Sequence, residues 1–213
     1  MALKALVLGA GAPPPPELVD RHIAGARMVV CADGAVNWAR AMGLMPDAVV
    51  GDMDSVRPEA LDELECMGVH LARLSPRKNE TDAQEAVDYA LRAGANEIVL
   101  LGMSGCRLDH TVANIHLLVR IAMHGAFGRL CDAHNEVYAA CTPITLHAKR
   151  GTMLSILPLS GSVAIGSLEG LEYPLNDYVL RPEFPRAISN VFIGDTARVN
   201  ILEGWAAIFL SID

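Results

Sequence analysis

The chain has 213 residues, 52% of them hydrophobic and 20% charged, with a formal net charge of −8. Such a composition can bury a real core and excludes intrinsic disorder, while the acidic balance speaks against nucleic acid or an anionic membrane as a partner. The length suits one large domain or a medium one followed by a small one.

Reading along the chain, LKALVLG at residues 3–9 predicts a buried strand and RMVVCA at 27–32 a second, with room for a short helix after the proline run 13–16. AVNWARAMG offers a helical turn or two ending at Gly43, and DAVVGD at 47–52 predicts a third strand. A helix over 58–67 has Pro58 in its first turn, and VHLARL after it is strand-like. The clearest helix is TDAQEAVDYALRAG, where Ala83, Ala86, Val87, Ala90 and Leu91 form one apolar face, Thr81 and Gln84 a capping box, and Gly94 the stop. NEIVLLG at 96–102 predicts another strand, and 109–125 another helix with Asp109 as N-cap and Gly125 as stop. This alternation points to a parallel α/β sheet. From about residue 140 the pattern changes to short strand-like runs (TMLSILPL, SVAIGSL, ARVNILEG, WAAIFLSI), which places a domain boundary near 139–149.

Five cysteines at 31, 66, 106, 131 and 141 form no C-x-x-C pair, which suits free thiols in a reducing compartment. The short apolar start is too brief for a signal peptide or a membrane span, so a cytoplasmic location is expected.

In an open α/β sheet, ligands bind beyond the carboxyl ends of the strands. Asp33 and Gly34 follow the second strand, and Asp52, Asp54 and Ser55 follow the third. Lys78, Thr81 and Asp82 precede the clearest helix, and GMSGCRLDH at 102–110 follows the strand at 96–102. Four loops thus deliver Asp, Gly, Arg and Lys to one sheet edge. Asp52 and Asp54 lie two apart; in an extended segment both would face one way, and a magnesium ion between them would relieve their repulsion. Arg107 and Lys78 offer donors to phosphate oxygens, and Gly102 and Gly105 would admit a ligand close to the backbone. His110 and Asn114 share a helix face. Each feature also has an ordinary reading as a turn, a cap or a surface arginine, so the functional reading rests on their convergence.

No G-x-x-x-x-G-K-[ST], G-x-S-x-G or H-E-x-x-H occurs, and Pro14 interrupts the glycine stretch that begins at Gly9 where a dinucleotide fingerprint needs its third glycine. Metal-assisted phosphoryl or pyrophosphoryl chemistry is what remains. A magnesium-dependent phosphohydrolase and a catalytically silent nucleotide-binding module are the alternatives.

The ordered set Ala32-Asp33-Gly34, Pro46-Asp47 leading to Gly51-Asp52-x-Asp54-Ser55, Lys78-x-x-Thr81-Asp82, and Gly102-x-x-Gly105-x-Arg107-x-Asp109-His110 with Asn114 resembles the thiamine pyrophosphokinase family. The likeness continues through Gly151-x-x-x-Ser155-x-x-Pro158, Gly170-Leu171-x-Tyr173-Pro174-Leu175 and Ser189-Asn190. The resemblance implies an α/β catalytic domain over 1–140 and a small β-sandwich over 145–213 that contributes to thiamine binding and dimerisation. It also implies a homodimer with active sites between subunits, and transfer of pyrophosphate from ATP to thiamine with Mg2+. On that resemblance Asp52, Asp54 and Asp82 serve metal and phosphates, and Asp54, Asp82 and Asp109 are candidate bases. Asp33, Gly34, Ser55, Lys78, Thr81, Arg107, His110 and Asn114 belong to the ATP site, together with Asp109. Ser189 and Asn190 lie near thiamine, with Trp205 either a stacking wall or a core aromatic. The chain departs from the family pattern at Asn79, often acidic there, and at Ala35, often glycine.

Overall fold

The computed structural model describes residues 3–75 and 79–212. The chain divides into two units, Met1–Ala133 and His134–Asp213.

In the first unit the order is β1 (Lys4–Leu8), α1 (Pro16–Ile23), β2 (Met28–Ala32), α2 (Ala35–Ala41), β3 (Ala48–Gly51), α3 (Pro58–Cys66), β4 (His70–Arg73), α4 (Asp82–Arg92), β5 (Glu97–Leu101), α5 (Leu108–Met123) and β6 (Phe127–Cys131). Its six strands are parallel in the order β6-β5-β1-β2-β3-β4. Ala5 to Leu8, Val49 and Ile98 to Leu101 are wholly buried, which is why these strands read as unbroken apolar runs. The chain steps outward from β1 to β4 and then returns to place β5 on the other side of β1. The switch in direction between β1 and β5 opens a crevice at the carboxyl edge.

Local signals position the helices. Thr81 Oγ1 accepts the Gln84 N–H at 3.1 Å and starts α4 as the capping pattern predicts. Asp88 is drawn inside because Arg120 of α5 clasps it with two bonds of 2.6 and 2.8 Å. Among the strands that escaped the sequence reading are β6 and β7 (Asn135–Ala140). β6 contains Gly128 and Arg129 and lacks the β-branched run expected of a strand. Gly128 lies beneath Ile121, where a Cβ would come within 3.0 Å of the isoleucine side chain, and Arg129 pairs with Glu97 at 2.8 Å.

The second unit begins with β7, followed by β8 (Ile144–His147), β9 (Met153–Pro158), β10 (Val163–Glu169), β11 (Asn176–Leu180), β12 (Asn190–Val191), β13 (Thr196–Glu203) and β14 (Ala206–Ser211). Two antiparallel sheets, β12-β9-β14-β7 and β11-β10-β13-β8, bury Leu154, Ile156 and Ile208 against Ile165, Val199 and Ile201 in one core, as a sandwich does. The division falls before β7, earlier than 139–149, because β7 pairs along its whole length with β14. β13 and β14 are consecutive in the chain but do not pair with each other. They lie in different sheets, and Gly204-Trp205 turns the corner between them, with Gly204 at φ 86°.

Candidate active site

The crevice at the β1/β5 switch is a cavity of about 680 Å³, lined by Gly9–Ala12, Ala32, Asp33, Thr81–Ala83, Gly102–Arg107, His110, Thr111 and Asn114. Its floor is two glycine loops zipped beyond the ends of their strands. Gly9 N–H donates to Leu101 O, Gly11 N–H to Gly102 O and Ala12 N–H to Ser104 O, each at 2.8 Å. A Cβ on Gly11 would meet Ser104 O at 2.3 Å, and one on Gly102, where φ is +65°, would meet Gly9 O at 2.6 Å. These glycines let backbone approach backbone, so Gly102 serves the packing of the floor before any ligand. The loop at 9–12, which sequence reasoning used only to reject a dinucleotide fingerprint, forms part of the wall. The signal for it was a glycine pair immediately after β1.

The paired aspartates come together differently from the extended segment expected. Met53 between them has φ 65° and is 5% exposed, so its side chain anchors a turn in the core while the flanking carboxylates stay outside. Within the turn, Asp54 N–H donates to Asp52 Oδ1 at 3.3 Å, and Ser55 Oγ donates to Asp54 Oδ1 at 2.9 Å. Asp33 is the third member: carboxylate oxygens of Asp33, Asp52 and Asp54 lie within 4.8 Å of one another. Asp33 is 8% exposed, and its Oδ1 has no hydrogen-bond partner. A buried carboxylate with an unpartnered oxygen, clustered with two more carboxylates, is the donor set a hard divalent cation takes.

Asp82 is not part of that trio; it lines the cavity beside it. A Cβ on Gly51 would come within 2.8 Å of Asp33 Cβ and 3.2 Å of Asp82 Oδ1, so glycine at 51 lets the two acids approach. Gly34, with φ −58°, is required for closeness and not for conformation, since a Cβ there would lie 3.1 Å from Ser55 Cβ. Ala35 is the first residue of α2 and wholly buried, a position where alanine is at ease.

Arg107, which also lines the cavity, occupies the N-cap position of α5 in place of Asp109, and it makes no side-chain cap bond. Its guanidinium instead grips Asp109 with bonds of 3.1 and 2.5 Å. That bond holds the Asp109 carboxyl down at about 2 and raises the arginine. Asp109 is thus an ionised partner of Arg107 and a poor proton acceptor. Asn114 is buried and donates to Met103 O at 2.8 Å, fixing the second glycine loop, while Thr81 and His110 line the cavity. Lys78 lies outside the described residues, and Asn79 is exposed.

In the second unit Asn190 is 3% exposed, and its amide is engaged on both sides. Oδ1 accepts from Tyr173 N–H and Val191 N–H, both at 2.9 Å, and Nδ2 donates to Tyr173 O at 2.7 Å. Ser189, at φ 54°, is exposed and its N–H donates to Ser155 Oγ at 2.9 Å. Trp205 is half-buried at the corner, where its N–H donates to Ser160 Oγ at 2.9 Å.

Residues 19–126 match the family model described as thiamin pyrophosphokinase, catalytic domain, and residues 142–204 match thiamin pyrophosphokinase, vitamin B1 binding domain. The chain belongs to the thiamin pyrophosphokinase family. It is 26% identical to thiamine pyrophosphokinase of Bacillus subtilis, over 80% of this chain and 81% of that one. To thiamine pyrophosphokinase 3 of Oryza sativa subsp. japonica it is 33% identical, over 76% and 68% respectively. A crystal structure of the Bacillus subtilis enzyme matches the fold with a TM-score of 0.86, at 24% identity and covering 98% of this chain and 99% of that one. The α/β unit followed by an antiparallel sandwich is therefore the fold of the thiamin pyrophosphokinase family.

Proposed function

We propose that the protein transfers the outer diphosphate of ATP to the hydroxyl of thiamine, giving thiamine diphosphate and AMP. One observation carries the reading: Asp33 belongs at once to the wall of the glycine-floored cavity and to the three-carboxylate group. A triphosphate seated in that cavity lies next to a cation site, which is what diphosphate transfer needs. Asp33, Asp52 and Asp54 would hold magnesium, with Asp82 beside them, and the bound ion would offset phosphate charge that a chain of net charge −8 otherwise repels.

Arg107 exchanges its bond to Asp109 for a phosphate oxygen, a change of partner between two acceptors of like geometry. Asp54 and Asp82, and Asp109 once Arg107 has left it, are the carboxylates available to take the thiamine hydroxyl proton as its oxygen attacks the β-phosphorus and AMP departs. The cavity presents carboxylates, Arg107 and backbone, which suits direct in-line transfer governed by positioning.

Ser189 and Trp205 are the thiamine-facing candidates of the second unit, and Asn190 supports them by clamping Tyr173. A homodimer in which this unit completes the partner's pocket accounts for acidic loops and the Ser-Asn pair lying in separate units. All five cysteines are free, which supports a reducing, cytoplasmic setting, and among the described residues no helix is long and apolar enough to cross a membrane.

The test is incubation with ATP, Mg2+ and thiamine, followed by nucleotide analysis. AMP should form only when thiamine is present. Phosphate released without thiamine would replace this reading with a hydrolase, and an inert mixture would leave a binding module. For the dimer, two inactive variants, Asp54→Asn and Asn190→Asp, should regain part of the activity when mixed and allowed to exchange subunits. Heterodimers that stay inactive would show that each chain builds its own pocket.

A further inference from the structure

The two sides of the site are bridged by one short helix. α2 has seven residues, AVNWARA, and starts two residues after Asp33. Successive helical side chains diverge by about 100°, so neighbours on α2 reach in different directions. Asn37 reaches the acidic loop: its Nδ2 donates to Ser55 O at 3.1 Å, in the residue whose hydroxyl holds Asp54. Trp38 reaches the glycine floor: its Nε1–H donates to Gly9 O at 2.9 Å. The edge of the same indole covers the second glycine loop, since a Cβ on Gly102 would come 3.1 Å from Trp38 Cζ2. Each side chain thus bonds a backbone carbonyl in a loop that contains site residues.

We propose that α2 is the spacer of the site, with Trp38 a positioning residue for the nucleotide and Asn37 a positioning residue for the carboxylates. The glycine loops are zipped to each other through backbone N–H groups, and Trp38 adds a side-chain donor to the Gly9 carbonyl that ties this floor to α2. The Met53 turn carries its own strain at φ 65°, and the Asn37 bond to Ser55 O is what holds the exposed end of that turn against α2. The inference deepens the diphosphate-transfer reading and rests on it for the identity of the nucleotide.

Two variants separate the arms. Trp38→Phe keeps an aromatic ring but removes the N–H and shortens the side chain that reaches Gly102, so both of its contacts with the glycine floor are weakened, and Asn37→Ala removes an exposed donor. Calorimetry with α,β-methylene-ATP in the absence of divalent cation reads the nucleotide side, and electron paramagnetic resonance of Mn2+ without nucleotide reads the carboxylate side. Trp38→Phe should weaken the analogue about threefold to tenfold and leave Mn2+ affinity within about twofold, and Asn37→Ala should do the reverse. In turnover, Trp38→Phe should raise KM for ATP and leave KM for thiamine unchanged. A merely structural role would move both affinities together, and that result, or no change in a folded variant, overturns the proposal. If Trp38→Phe fails to fold, Asn37→Ala decides alone. Because both affinities are read without catalysis, a wild-type protein that forms no AMP would refute the assigned reaction while the binding results still judge the spacer.

Discussion

Asp54→Asn is expected to lower turnover by about 10²-fold or more while the protein stays folded. The carboxamide has the shape of the carboxylate and can still accept the Ser55 hydroxyl, whose bond of 2.9 Å shapes the turn. What it lacks is charge. Three carboxylates with oxygens within 4.8 Å of one another repel unless a cation sits among them, so removing one negative charge relieves strain in the metal-free protein. Asp54 is also the exposed member of the trio, and its substitution opens no cavity. The melting temperature without divalent cation should hold or rise slightly as activity collapses. Steady-state rates at saturating Mg2+, set beside thermal unfolding, check both halves. Near-normal turnover would remove Asp54 from the metal site, and a large fall in stability would make it a structural residue.

Gly11→Ala should disrupt the nucleotide cavity through the backbone alone. The added methyl would stand 2.3 Å from Ser104 O and 2.6 Å from Gly102 O, and neither carbonyl belongs to a flexible side chain that could swing away. The two loops must part, breaking the bond from Gly11 N–H to Gly102 O. A cost of about 1–3 kcal/mol is typical of such overpacking, and displacement of the wall should weaken ATP by about tenfold or more. Gly161→Ala is the control, since a Cβ there meets nothing within 4 Å. Equal ATP affinity in the two variants would mean that the floor yields without moving the ligand site.

Several features were legible in the sequence because their causes are local. Continuous apolar runs mark β1, β2, β3 and β5, Thr81 and Gln84 mark the start of α4, and the acidic and glycine-rich loops stand at strand ends where an open sheet places its ligands. The ordered motifs were enough to suggest the family. Other features depend on partners distant in sequence or on backbone angles that composition does not encode. β6 is a strand because β5 offers it a ladder and Glu97 an ion-pair partner for Arg129, although Gly128 and Arg129 argue against it locally. Asp52 and Asp54 face one way because Met53 takes a positive φ with its side chain in the core, a choice paid for by burial and invisible in the D-x-D pattern. Asp33 joins them because β2 lies beside β3 and Gly51 leaves room, and Trp205 turns a corner because β14 finds its neighbours β7 and β9 in the other sheet. The sequence by itself determined which residues could form the strands, the caps and the acidic loops. Tertiary structure alone decided which carboxylates meet and which glycines touch, because those contacts come from strand pairing and close backbone packing between segments far apart in the chain.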